Sequence, residues 1–264
     1  MKNAIDSNAP VGSQLRQWRE YRRLSQLDLA LDAGISARHL SFVETGRSRP
    51  SRAVIGLLAD RLDVPLRARN ELLLAAGLAP EFGETPLHAP DMAQSMTLIE
   101  HLLKGHEPFP ALVVDRHWHL LAANRAVAIL TEQIASHLME PPVNVLRLAL
   151  HPDGLAPQIV NYSAWRSSIL SRLDREIEAS GDAGLIALRA ELAGYAGSAN
   201  DNHGDVPDAV ATPLVIDSVA GRLSFYSTIT VFGTPRDVTL SEIALETFLP
   251  ADEQTGRALR ALLE

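Results

Sequence analysis

The chain has 264 residues, 46% of them hydrophobic and 21% charged, with 24 basic against 32 acidic side chains and a formal net charge of −8. This composition excludes a disordered or collagen-like chain and suits two small globular domains. The complete lack of cysteine excludes disulfides, thiolate nucleophiles and sulfur-ligated metals. No apolar run reaches the roughly 18 residues of a membrane span. The opening MKNAIDSNAPVGSQ has neither the charged start nor the apolar core of a secretion signal, so a cytoplasmic protein without a membrane partner is expected.

Charge is unevenly spread. Residues 1–80 carry 12 Lys/Arg and 8 Asp/Glu, a net of +4, whereas residues 81–264 carry 12 and 24, a net of −12. The basic side chains of the first part are mostly arginines, among them Arg16, Arg19, Arg22, Arg23, Arg38, Arg47, Arg49 and Arg52, whose rigid forks match phosphate oxygens. The stretch LAPEFGETPLHAPD from Leu78 to Asp91 has three prolines and no periodicity. It reads as a connection, with domains 1–85 and 86–264.

In chain order, Leu15, Trp18 and Tyr21 or Arg22 form one helical stripe between Gly12 and Leu24, and Ser25 caps a short helix, Gln26 to Ala33. Gly34 supplies a tight turn, and Ser36 caps a third helix that buries Leu40 and Val43 and stops at Gly46. A fourth helix, Ser51 to Leu62, follows Pro50, and a fifth, Pro65 to Ala76, offers Leu72, Leu73 and Leu74 for burial. Two helices of about eight residues joined by a glycine turn have the geometry that sets the second in a DNA major groove.

The segment SQLDLALDAGISARHLSFVETGRSRPS resembles the helix-turn-helix of phage-repressor type, the xenobiotic-response-element (XRE) regulator family. Gln26, Ala30, Gly34, Ile35, Leu40, Val43 and the run Glu44, Thr45, Gly46 occupy that family's positions. The resemblance implies an all-α five-helix DNA-binding domain that acts on double-stranded operators as a homodimer. It also implies that Ser36, Ala37, Arg38, Ser41 and Phe42 lie on the exposed start and outer face of the recognition helix. Arg38 has the chemistry to bond guanine O6 and N7 together, and Ala37 and Phe42 to touch thymine methyl groups. Arg16, Gln26, Arg47 and Arg49 are expected beside the phosphate backbone. The phage repressors' run of glutamines is missing here, so their operators are no guide.

Beyond the connection, Ala111 to Asp115 forms a short apolar strand, Arg116 and His117 a turn, and Trp118 to Asn124 the hairpin partner. Asn124 caps a helix with Ala126, Ala128, Ile129 and Leu130 inward. This order is how PAS-type sensor domains begin. Helices follow over Asn144 to Leu150, Ala156 to Ser180 and Ala183 to Tyr195, then a polar loop, Gly197 to Pro207. Three strands, Pro213 to Ser218, Arg222 to Phe232 and Asp237 to Phe248, form an antiparallel meander, and a helix from Ala251 to Leu263 ends the chain. Leu223, Phe225, Ser227 and Ile229 share one face of the central strand, opposite Ser224, Tyr226, Thr228 and Thr230. The expected layout is α+β, a five-stranded antiparallel sheet covered by helices.

The segments NVLRLALHPDGLAPQIVNYSAWRSSILSRLDREI and GRLSFYSTITVFGTPRDVTLSEIALETFLPADEQT look like the ligand-binding domain of the MmyB-like transcription regulators. Pairing with an XRE-type helix-turn-helix is that family's domain order, and a fatty acid is the ligand class it suggests. An apolar pocket is expected among Val145, Leu148, Trp165, Ile169, Phe225, Ile229 and Phe232. Arg147, His151, Asn161 and Arg166 are candidates to clamp a carboxylate head, Arg147 and His151 being one helical turn apart.

The frames of common catalytic sites are absent: no G-x-S-x-G, no phosphate loop, no dinucleotide fingerprint and no H-E-x-x-H. Neither an enzyme nor a cofactor is expected. His117 and His119, at i and i+2, have zinc-ligand character but no evident third ligand, so no metal is expected. Nine histidines could make a pH sensor, though nothing localises one. A DNA-binding scaffold, whose C-terminal domain serves dimerisation or protein contact without a ligand, would have the same sequence features.

Overall fold

The computed structural model describes residues 4–132, 134–195 and 211–263; the loop expected over 197–207 lies outside them. The chain divides into two compact units. One contains the described residues up to Glu84 with Asp174–Ile186 and Arg236–Val238, and the other contains Thr85–Leu173, Ala187–Pro235 and the rest from Thr239.

The first unit holds α1 (Val11–Tyr21), α2 (Gln26–Asp32), α3 (Ala37–Glu44), α4 (Arg52–Arg61) and α5 (Leu66–Ala75). Serine caps start three of them: Ser25, Ser36 and Ser51 accept from the backbone N–H of Asp28, His39 and Val54. Each such cap contributes about 1 kcal/mol. Asp28 answers Ser25 by accepting its backbone N–H, a capping box that holds the Asp28 carboxyl below its ordinary range. Between α2 and α3, Gly34 (φ +63°) donates to Leu31 and Ile35 to Ala30. This is the left-handed helix stop that only glycine adopts without strain. Leu15, Trp18, Leu29, Leu40, Ile55, Leu58, Leu62 and Leu72 are almost wholly buried in one cluster. Leu74, expected to be buried with Leu72 and Leu73, is 57% exposed, because α5 turns a narrower face inward than three consecutive leucines suggest.

Two features lock α1 against α3. Arg19 donates Nε to Glu44 Oε1 (2.7 Å) and Nη2 to Oε2 (2.9 Å), Gln26 Nε2 donates to Oε2 (2.7 Å), and Arg19 Nη1 reaches the Leu24 carbonyl (2.8 Å). Glu44 is thus buried with its lone pairs met by donors from two other helices. At Gly12, an added Cβ would lie 2.2 Å from the Val43 carbonyl oxygen.

Arg19 and Arg22 are among the arginines whose forks suit phosphates, and the structure engages both within the first unit. Arg22 donates to the carbonyls of Leu62, Asp63, Glu178 and Ala179, while Tyr21 Oη donates to Ile177 O (2.6 Å). The four carbonyls that Arg22 meets close the helical segments ending near Leu62 and Ser180, where backbone acceptors lack helical donors and a cation is favoured, while Ile177 O also accepts from Gly181 N.

The second unit opens with α6 (Ala93–His106), then β1 (Ala111–Val114), β2 (Leu120–Ala123), α7 (Arg125–Thr131) and α8 (Val145–Leu150). The chain continues through α9 (Tyr162–Ser180), α10 (Ala183–Ala193), β3 (Leu214–Ser218), β4 (Gly221–Val231), the helical turn α11 (Val238–Ser241), β5 (Ala244–Pro250) and α12 (Glu253–Leu263). The five strands form one antiparallel sheet in the order β2-β1-β5-β4-β3. All four residues of β1 are buried, since both sheet faces are covered there. Ala111 and Val113 pack with Ile99 and Leu103 of α6, and Leu112 points to a cavity on the other side. Asn124 precedes α7 as expected, yet its side chain does not cap the helix. It accepts from Ala111 N and donates to Leu103 O and Phe109 O, pinning the start of β1.

Three expectations about the elements are corrected by tertiary pairing. The helix over 156–180 is broken, because residues 159–161 run beside β3. Val160 N donates to Val215 O, and Asn161 bonds Val215 N and Pro213 O. Asp237 to Phe248 is not one strand, since Val238–Ser241 is a helical turn and β5 starts only at Ala244, opposite Val114 and Val231. The apolar face of β4 is buried at Leu223 and Phe225 but open at Ile229, which is 40% exposed.

Gly12→Ala forces a Cβ onto the Val43 carbonyl, and Glu44→Ala leaves the Arg19 guanidinium buried without its carboxylate. The expected losses are about 1–3 kcal/mol and about 3–5 kcal/mol. Urea unfolding with amide exchange read at α1 and α3 checks both; stabilities equal to wild type would contradict the close approach and the buried pair.

Candidate functional site

The helix pair α2 and α3 displays one candidate surface. Ser36 spends its hydroxyl on the cap of α3, accepting from His39 N (3.1 Å), and so helps fix where the helix begins. Arg38 is exposed, and Ala37, Ser41 and Phe42 are half-buried beside it. The Arg38 guanidinium lies 5.3 Å from the Phe42 ring centroid and that of Arg47 lies 5.9 Å from it. Phe42 thereby orients two cations whose donors stay open, worth about 0.5–1 kcal/mol each at an exposed site. Neither arginine has an ion-pair partner among the described residues. Arg49 is also exposed and lies against Gly77, its Nη2 3.2 Å from where a Cβ there would sit.

The other two residues expected at phosphates are engaged. Arg16 pairs with Glu20 one turn along α1 (2.7 Å), and Gln26 gives its amide to Glu44. The pairing of Glu44 with Arg19 and Gln26 had no periodic signal. Glu44 follows Val43 in a polar helix end, and its burial depends on α1 and α2 arriving over it.

The second unit contains an apolar cavity of about 270 Å³, near the lower end of the size range of small-molecule sites. One wall is the sheet, with Leu112, Leu120, Leu214 and Phe248; the other is helical, from α7, α8 and α9. Val145, Leu148, Trp165 and Ile169 line it, as placed by the helical spacing. Phe225, Ile229 and Phe232 do not. Phe225 is buried behind Phe248, its ring edge-on at 6.3 Å, Ile229 opens to solvent, and Phe232 packs with the α6 cluster on the opposite face of the sheet.

The proposed head-group clamp also lies elsewhere. Arg147 forms a two-pronged pair with Glu191 (2.8 Å on each arm), and Tyr195 Oη donates to the same carboxylate (2.5 Å). Burial and that carboxylate push the Tyr195 phenol up to about 12, while Arg147 holds Glu191 below the ordinary carboxylate range. His151 stacks edge-on against Tyr195 (5.1 Å). Arg166 caps α10 at Ala193 O, and Asn161 ties the chain to β3.

Polar groups that sequence reasoning did not single out line the cavity instead. Arg172 of α9 donates Nη1 to Glu246 of β5 (2.9 Å), whose same oxygen accepts from Ser227 of β4 (2.8 Å). The Arg172 guanidinium also lies 4.3 Å from the Trp118 ring centroid. Glu246 is 3% exposed. Two buried donors of lining residues, Arg172 Nε and Trp165 Nε1, have no hydrogen-bond partner among the described residues. An unmet buried donor costs about 1–3 kcal/mol, so both favour an acceptor brought by a ligand. Arg172 lies two turns beyond Trp165 on one face of α9, a spacing visible in the sequence, but its partner Glu246 is 74 residues away.

No described helix is long and apolar enough to cross a membrane. Comparison with known proteins matches residues 97–262 to the MmyB-like transcription regulator ligand binding domain and residues 10–72 to a helix-turn-helix domain. RghRB of Bacillus subtilis (strain 168), described as an uncharacterized HTH-type transcriptional regulator, is 35% identical over 115 residues, 42% of this chain and 81% of its own. A solved structure of an RNA-binding light-oxygen-voltage receptor aligns over 97% of this chain at 15% identity with a TM-score of 0.26, the chain spanning 64% of that structure's length. With a helix-turn-helix followed by this domain over 97–262, the chain belongs to the MmyB-like transcription regulators, a DNA-binding regulator with a ligand-binding domain.

Proposed function

We propose that the second domain, PAS-like in its strand-turn-strand-helix opening, senses a small apolar ligand with a hydrogen-bond-accepting head, a fatty acid in particular, and that occupancy changes operator binding through a homodimer. The observation that carries this reading is the apolar cavity with two unpartnered buried donors, Trp165 Nε1 and Arg172 Nε. An acyl chain fits the apolar lining and its carboxyl oxygens supply the missing acceptors. Glu246 already neutralises Arg172, so a carboxylate entering alone would add one uncompensated negative charge to an apolar space. The acid therefore enters protonated or takes up a proton on binding.

On the DNA side, Arg38 over Phe42 is the base reader of this proposal and Arg47 and Arg49 contact phosphates. The net of −12 on residues 81–264 repels DNA and restricts contact to the arginine surface. A ligand changes operator affinity only by its difference in affinity for two dimer arrangements, typically about 1–3 kcal/mol.

The test of ligand binding is mass spectrometry of the protein in native and denaturing buffer with an organic extract. Release of an acyl compound is expected. An empty protein that gains no thermal stability from a panel of fatty acids would overturn the sensor reading in favour of the DNA-binding scaffold. Trp165→Phe is expected to weaken fatty-acid binding by about 1–3 kcal/mol, and affinity is expected to fall as pH rises from 6 to 8, while a fatty alcohol shows no such slope. Arg38→Ala should cost about 1–3 kcal/mol on operator only. Arg47→Ala should weaken all DNA and flatten the salt slope by about one. Fluorescence anisotropy on operator and random duplexes at several salt concentrations separates the two, and equal losses on both duplexes would contradict the division.

A further inference from the structure

Among the described residues, the histidines that share a strand end are not the ones that assemble metal-ligand geometry. His119 is held by Asp115, which accepts from His119 N (2.8 Å) and lies 3.0 Å from its Nδ1. The converging group is His137, His151 and Asp153, whose ligand atoms all lie within 4.8 Å of one another. Asp153 Oδ2 is 3.8 Å from His137 Nε2 and 3.8 Å from His151 Nδ1.

The backbone brings these three together. His137 lies in the short helical turn Ser136–Met139, His151 is the cap at the end of α8, and Asp153 follows it. Ala135 N donates to Asp153 O (3.1 Å), which ties the two segments, and Gly154 N donates to His151 O (2.9 Å). Gly154 allows this tight turn because a Cβ there would meet the Leu148 carbonyl oxygen at 2.2 Å. The two imidazole rings meet edge to face at 5.8 Å, and His151 is backed by Tyr195.

We propose that His137, His151 and Asp153 form a binding site for a divalent transition metal of the zinc type. Two neutral imidazoles and one carboxylate are the donor set of an open zinc site, with water completing the coordination. Bonds of about 2.0–2.1 Å hold tetrahedral ligand atoms roughly 3.3 Å apart, so each imidazole nitrogen needs to close on the Asp153 oxygen by about half an ångström and the two nitrogens on each other by at most about 1.5 Å. His151 Nδ1 now accepts from Asp153 N (3.0 Å). The metal takes that lone pair and leaves the ring proton on Nε2, which fixes the tautomer. Met139, two residues after His137, and Leu148 and Ala149, just before His151, line the cavity. A bound ion thus clamps two pieces of one cavity wall.

The test is titration of tag-free, chelator-treated full-length protein with Zn²⁺ by calorimetry and with Co²⁺ by visible absorption. One equivalent is expected to bind, with a gain in melting temperature. His137→Gln and Asp153→Asn alter exposed side chains, and their folding is checked by metal-free melting. Each is expected to lose at least about tenfold in affinity and the Co²⁺ band, whereas His117→Gln is expected to keep both. Absence of saturable binding, or affinities in His137→Gln and Asp153→Asn within twofold of wild type, would overturn the site.

Discussion

Taking a guanidinium and a carboxylate out of water costs several kcal/mol for each ion, and a protein keeps such a pair only where geometry returns the loss. Arg172 and Glu246 meet that condition at 2.9 Å, with Ser227 on the same carboxylate oxygen and the Trp118 ring beside the guanidinium. The arrangement needs α9 positioned over the middle of the sheet and β4 and β5 in register, Ser227 opposite Phe248 and Ile229 opposite Glu246. The cavity lies beside this pair, between the sheet and helices α7, α8 and α9. The unpartnered donors of Trp165 and Arg172 are its polar end. A change in the seating of α9 therefore acts on the charge pair and on the cavity lining together.

The same constraint recurs in the helical unit. Glu44 closes α3, yet its carboxylate belongs to Arg19 and Gln26. The helix that presents Arg38 and Phe42 is consequently fixed against α1 and α2 by directional bonds as well as by Leu40 and Val43. Gly12 permits the approach by removing the one side-chain atom that would meet Val43. Rigid placement of a short helix is what base reading requires, because a hydrogen-bond fork discriminates only when its donors arrive at a defined angle.

Legibility from the sequence followed the range of the interaction. Helix starts at Ser25, Ser36 and Ser51, the stop at Gly34, and the alternation at Leu223 and Phe225 involve neighbours within about four residues, and each was readable. The cavity lining on α8 and α9 was readable for the same reason, since Val145, Leu148, Trp165 and Ile169 recur at helical spacing. Arg147, Asn161 and Arg166, expected as a clamp, do not line the cavity. Their partners, Glu191, Pro213 and Ala193, lie at separations of 44, 52 and 27 residues, where no local pattern operates. The break before α9 and the late start of β5 have the same origin, because pairing with β3, β4 and β1 overrides local preference.

The family was carried by the resemblance of whole segments, while caps, glycine turns and periodicity by themselves determined most of the elements, though not α6, the break before α9 or the start of β5, and the division into a helical and an α+β domain. They could do so because helix and strand periods and left-handed turns are local properties of the chain. Tertiary structure alone decided which charges are spent and which remain open. Arg19 and Arg22 are consumed inside the first unit, Arg38 and Arg47 are left exposed around Phe42, and Arg172 rather than Arg147 borders the cavity. The physical reason is that an ion's partner is set by which surfaces meet in space, and the distance along the chain between the two residues carries no record of it.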